Sequence, residues 1–243
     1  MKTSTKFLIV TISLQFILSL IAIIVLSSKL KSNLLVASGK TVTDEIKLNS
    51  FNSIMISGNI TVHWKCSDSV YAKMTIDEAF KNHIKLHQTS NQLTINAPKV
   101  FRRKNALLTL YSPNISSLII RNGAIVLFDD TLKVEKLQID LKDGADANLK
   151  YSGNNLKMSL SDGSSVQVEG NATKSEMYIK DGSSVSLDKL NLLIANATVK
   201  DGSSLKVNVK DSISAIIEDG SSIYIDGKPK IKQIKTDQSS SVQ

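Results

Sequence analysis

The chain has 243 residues, a formal net charge of +8, one cysteine and 5% aromatic residues. This is enough for one large β domain, and three prolines among abundant Val, Ile, Thr and Ser favour strands over disorder. The basic charge is dispersed: lysines alternate with apolar residues, as in Leu205-Lys206-Val207. Only Arg102, Arg103 and Arg121 are arginines, so no nucleic-acid partner is expected. A lone Cys66 excludes an internal disulfide and, with no soft ligand beside it, a zinc site. It reads as a small half-buried residue close to Trp64.

Residues 1–6 carry Lys2 and Lys6 ahead of an uncharged apolar run over residues 7–26. Twenty helical residues at about 1.5 Å each span a hydrocarbon core of about 30 Å, which predicts a transmembrane anchor. The alternative is a cleaved signal. However, such signals have shorter apolar stretches, and Ser27-Ser28-Lys29 is a poor cleavage context. Residues 27–48 read as a membrane-proximal spacer, and the rest as an extracytoplasmic domain.

Within residues 51–64, alternating apolar positions predict two strands around Ser57-Gly58, and residues 71–76 predict another. Residues 77–83 suit a short helix. Residues 84–87 suit a strand paired with 93–95 across Ser90-Asn91. These elements are expected to form irregular coils that cap one end of the domain.

From residue 121 onward a short phrase recurs six times: RNGAIVLF, KDGADANL, SDGSSVQV, KDGSSVSL, KDGSSLKV and EDGSSIYI. Its glycines are Gly123, Gly144, Gly163, Gly182, Gly202 and Gly220, spaced 21, 19, 19, 20 and 18 residues apart. Apolar residues stand three and five positions after most of these glycines, as in Val166/Val168 and Leu205/Val207. In the stronger copies they also stand seven, five and three before, as in Leu156/Met158/Leu160. This is strand, sharp bend, strand, with one buried face. So short a unit cannot close its own core, and like residues at like corners imply stacked coils of a parallel β-helix. Residues 228–243 read as a last capping strand and a loose tail, the polar tail being placed over 231–243.

The repeats offer two candidates for chemistry. Asp143, Asp162, Asp181, Asp201 and Asp219 should stack at one corner. Carboxylates about 4.8 Å apart repel, so lysines at 142, 180 and 200 or a bridging calcium ion could offset them. Asp-Gly is also an ordinary turn dipeptide, and turn chemistry is the favoured reading. The Ser pairs 164/165, 183/184, 203/204 and 221/222 read as small corner residues that hydrogen bond along the stack. No His accompanies them, and none lies in a nucleophile elbow. His83 and His87 lack a third ligand. No catalytic residue and no cofactor is assigned.

The opening Phe51-x-x-Ile54-x-Ile56-x-Gly58-x-Ile60-x-Val62, then Asn91-x-Leu93-x-Ile95, the Gly-Ser-Ser corners and Tyr224-x-x-Gly227-x-Pro229 resemble the head GIN domain family of putative autotransporter adhesins. The resemblance covers residues 49–230 as one domain. It implies a right-handed parallel β-helix outside the cytoplasm and brings no catalytic residues with it. The corners often written Ser-Gly in that family are Asp-Gly here. The expected function is a membrane-anchored, non-enzymatic module, in the periplasm or on the surface, that binds a protein or glycan. The alternative is a structural or signalling component of the envelope without external ligand. A third reading, a carbohydrate-active β-helix enzyme, is disfavoured because only Tyr151, Tyr178 and Tyr224 are aromatic between the second corner and the carboxy terminus.

Overall fold

Strand–corner–strand units can bury their apolar faces only by stacking, and the chain does so. The computed structural model describes residues 12, 15–23, 25, 38–98 and 106–243. It divides into two units, residues 1–36 and 37–243. In the first unit the described residues are helical, and no helix of the described residues is long and apolar enough to cross a membrane. The remainder of the expected anchor over 7–26, and residues 27–37 of the expected spacer, lie outside the described residues.

The second unit begins with β1 (Thr41–Lys47), β2 (Ser53–Ser57), β3 (Thr61–Cys66) and β4 (Tyr71–Asp77). A 3₁₀ helix over Glu78–His83 is capped by the Asp77 carboxylate, which accepts the Ala79 N–H. Then come β5 (Lys85–Gln88), β6 (Gln92–Asn96), β7 (Ala106–Ser112), β8 (Ser117–Arg121), β9 (Ile125–Lys133) and β10 (Lys136–Leu141). Four long strands follow: β11 (Asp146–Leu160), β12 (Ser165–Ile179), β13 (Ser184–Val199) and β14 (Ser204–Ile217). The chain ends with β15 (Ser222–Asp226), β16 (Ile231–Thr236) and β17 (Ser241–Val242).

The repeat strands pair in parallel and in register. Leu137 lies opposite Leu156, Met158 opposite Met177, Ala197 opposite Ala215 and Val185 opposite Leu205. The result is an all-β solenoid of about seven turns. Each strand alternates buried and open residues, so Val168, Leu187, Val207 and Ile217 are each fully enclosed. Burial of such a side chain contributes about 1.5–3 kcal/mol, which makes this stripe the main stabilising term.

The sharp corner has a specific geometry. At the five repeat corners, Asp143-Gly144 to Asp219-Gly220, both residues have positive φ, 55–59° for the aspartates and 68–71° for the glycines after them. Two successive left-handed residues make a type I′ turn, and Asp and Gly are among the residues that adopt it at least cost. The glycine N–H then donates to the Asp carbonyl one coil further on. Gly144 donates to Asp162, Gly163 to Asp181 and Gly182 to Asp201, each at 2.9 Å. Gly170, at the gentler bend, has another constraint: a Cβ there would lie 2.1 Å from the Tyr151 carbonyl oxygen.

The amino-terminal coils stack out of chain order. β2 lies between β6 and β8, and β3 lies between β7 and β9, all in parallel. The coil containing β6 and β7 is therefore outermost. Antiparallel partners cover it, β5 on β6 and β4 on β7, with β1 on β4. This corrects two expectations. Residues 41–47 belong to that cap and are not spacer, because β1 matches its alternation to β4 over the whole strand. Residues 231–243 are not a loose tail. β16 pairs with β14 and β17 with β15, so the polar stretch completes a last coil.

Candidate functional site

The five ladder aspartates stand at successive type I′ corners and are all exposed. Among the described residues, no three His, Cys, Asp or Glu side chains gather closely enough to hold a metal ion. Their lysine neighbours divide differently from expectation. Lys180 pairs with Asp181 at 2.9 Å, but Lys200 reaches past its neighbour to Glu218 at 2.7 Å. The Asp181 carboxylate raises the Lys180 ammonium above its ordinary value, and Glu218 does the same for Lys200.

The paired serines separate into an inner and an outer ladder. Ser164, Ser183, Ser203 and Ser221 are each 1% exposed, whereas their neighbours Ser165, Ser184, Ser204 and Ser222 are more open. The Ser183 and Ser203 hydroxyls accept backbone N–H groups from the preceding coil, that of Ser164 at 3.2 Å and that of Ser183 at 3.1 Å, while the Ser164 hydroxyl itself donates to the Ser161 carbonyl. The ladder continues from Ser203 to Ser221 and from Ser221 to Ser240. These serines are structural: they satisfy buried amides where the chain turns too tightly for strand pairing.

At the last corner, side chains replace the missing next coil. The Asp237 carboxylate accepts the Asp219 N–H at 2.8 Å, and the Ser239 hydroxyl accepts the Gly220 N–H at 3.0 Å. The Ser240 hydroxyl, helped by the Asp219 and Ser239 N–H groups, holds the Asp237 carboxyl down to about 2.

Two further clusters lie in the amino-terminal coils. His63 Nδ1 lies 3.0 Å from Asp129 Oδ1, with Lys65 Nζ at 3.6 Å from the same carboxylate. Cys66 is exposed at the end of β3, where the buried–open alternation stops, and not half-buried as expected. Its neighbour Trp64 is fully buried, donates to the Ser112 hydroxyl at 2.8 Å and packs on Phe128. Tyr71 and Tyr111 stack with ring centroids 4.3 Å apart. His83 and His87 lie on the 3₁₀ helix and on β5 respectively.

The concavity with the most coherent chemistry lies on the flank before the sharp corner. It is a groove of about 440 Å³ whose lining includes Lys136, Lys157, Lys174, Gln138, Asn155 and Glu176. Register explains it. Lys136, Asn155 and Lys174 are consecutive rungs of one outward line, and Gln138, Lys157 and Glu176 are consecutive rungs of the next. Leu137 and Leu156 lie between the lines and are 2% and 1% exposed, so they fix the spacing without offering much apolar surface. Lys174 donates to Glu176 at 2.6 Å, and this hydrogen bond holds the Glu176 carboxyl below its ordinary value, with a contribution from Lys157. Sequence reading missed this site, although a signal was present: Lys136 and Lys174 both stand eight positions before a corner glycine, Gly144 and Gly182.

Stacked type I′ corners, a serine ladder and a capped first coil define a parallel β-solenoid. The chain belongs to the family described as "Putative auto-transporter adhesin, head GIN domain", which matches residues 50–229. Among solved structures, a putative adhesin from Bacteroides fragilis is 19% identical with a TM-score of 0.77, over 85% of this chain and 97% of that one. A putative adhesin from Parabacteroides merdae (18%, TM-score 0.66) covers 85% of this chain and 96% of that one. A putative lipid binding protein from Parabacteroides distasonis (18%, TM-score 0.67) covers 85% and 97%. At these identities the likeness establishes the fold. No curated protein matches the chain.

Proposed function

We propose that this chain is a membrane-anchored, extracytoplasmic and non-enzymatic binding module. Residues 7–26 hold a right-handed solenoid outside the cytoplasm, and its flank contacts a ligand of the cell envelope. The supporting observation is the groove over Lys136, Lys157 and Lys174, a rigid donor-lined concavity in a family described as adhesins. A protein that positions donors on a stiff repeat is suited to recognition, since little ordering is needed on binding.

A second reading comes from the relative named a lipid binding protein. Leu137 and Leu156 are nearly closed off, so the apolar surface in this groove comes mainly from the stems of its polar side chains, whose charged and amide ends rim it. Polar recognition is the better fit.

The test is exposure on intact cells that produce the full chain. Digestion of the domain by added protease supports a role on the surface. Protection until the outer membrane is broken refutes surface adhesion and favours the structural or signalling alternative.

A further inference from the structure

The groove contains more hydrogen-bond donors than its own residues use. Three ammonium groups and two side-chain amides line it, against the single carboxylate of Glu176, while the Ser116 hydroxyl already donates to the Asn52 carbonyl. Lys174 already engages that carboxylate, and neither Lys136 nor Lys157 makes an ion pair among the described residues. At a rung spacing of about 4.8 Å, Lys136 and Lys174, two coils apart, place their backbones roughly 10 Å apart along the stack. Lys157 projects from the coil between them.

We propose that this groove binds an extended acidic glycan, one whose sugars carry carboxylates, lying along the solenoid axis. The inference rests on the reading of the chain as an envelope binding module and names the ligand of that same site. Three properties lead to it. The ammonium groups repeat along one direction, which suits charges repeated along a chain and not one compact anion. A volume of about 440 Å³ is that of a site for several sugar-sized groups, far beyond the roughly 30 Å³ that a single water occupies in the liquid. The Asn155 amide stands between Lys136 and Lys174, and the Gln138 amide lies beside Lys157 at the end of the next line; each both donates and accepts, which matches hydroxyls near carboxylates.

The experiment is calorimetric titration of the purified full chain in detergent, at low salt, with a galacturonic acid hexamer. Comparison titrations use a neutral glucose hexamer and inorganic tripolyphosphate. Binding of the acidic hexamer, weakened by salt and absent for the neutral one, is expected. An exposed charge pair contributes up to about fivefold, so Lys136→Gln/Lys157→Gln should weaken binding about tenfold. Lys228→Gln/Lys232→Gln removes the same charge outside the groove and should leave the affinity unchanged. Equal losses in both double variants would mean diffuse attraction and overturn the site. Tripolyphosphate bound as tightly as the acidic hexamer would overturn the glycan class, and no binding of the hexamer would overturn the proposal outright. If protease reaches the domain on intact cells while the hexamer does not bind, this inference fails and the binding-module reading stands. Protection of the domain refutes surface adhesion, whatever the titration shows.

Discussion

Replacing Ser183 by alanine removes one hydroxyl from the inside of a corner and leaves the rest of the coil in place. That hydroxyl accepts the N–H of Ser164 at 3.2 Å, and both residues are 1% exposed. The volume change is small and of a kind the fold already accepts: Ala124 and Ala145 occupy the same corner position in the first two copies and are fully buried. The cost is therefore that of stranding a buried amide, about 1–3 kcal/mol. For a domain of this size each kcal/mol corresponds to about 2–4 °C in Tm, so a loss of about 2–12 °C is expected. The outward neighbour supplies the control. Ser184 is exposed and shares only a surface contact with Ser204, so Ser184→Ala should change stability by no more than about 0.5 kcal/mol. Thermal melts of the full chain followed by circular dichroism compare the two. Indistinguishable midpoints for Ser183→Ala, Ser184→Ala and the parent would refute the claim that the inner hydroxyls carry the corner amides.

Three further outcomes follow from the same geometry. Ile217→Asp buries a charge at a fully enclosed position and should abolish cooperative melting, whereas Ile216→Asp, at a side chain 38% exposed, should melt nearly as the parent does; similar behaviour would contradict the register. Gly170→Ala should destabilise by more than Gly182→Ala. The first places a Cβ 2.1 Å from a carbonyl oxygen, and the second meets open space and bears only the roughly 1–2 kcal/mol of a left-handed alanine. Asp237 has its carboxyl lowered to about 2, so its stabilisation is complete above the ordinary value of 3.8 and is lost as the pH falls through about 2. Asp237→Asn should therefore flatten the fall in melting midpoint between about pH 5 and pH 2, and parallel curves for parent and variant would argue against the end cap.

Much of the repeat region was legible because its information is local. A corner glycine, a preceding Asp and apolar residues at fixed offsets state where each strand turns and which face it buries, since strand alternation has period two. The hairpin of β5 and β6 was readable for the same reason. The inner and outer serines could not be told apart by type, because two adjacent identical residues differ only in which way the turn points them. Lys136, Lys157 and Lys174 looked like solvated lysines of separate strands until coil-to-coil register put them on one groove.

The sequence alone determined that this chain stacks short strands around Asp-Gly corners, because type I′ geometry and alternating burial are properties of neighbouring residues. Tertiary structure alone decided the rest. It set the coil of β6 and β7 outside that of β2 and β3, recruited β1 to the cap, and turned the polar residues 237–240 into the last corner. Those arrangements depend on which unpaired edge each segment meets, a pairing between residues far apart in the chain that no local pattern records.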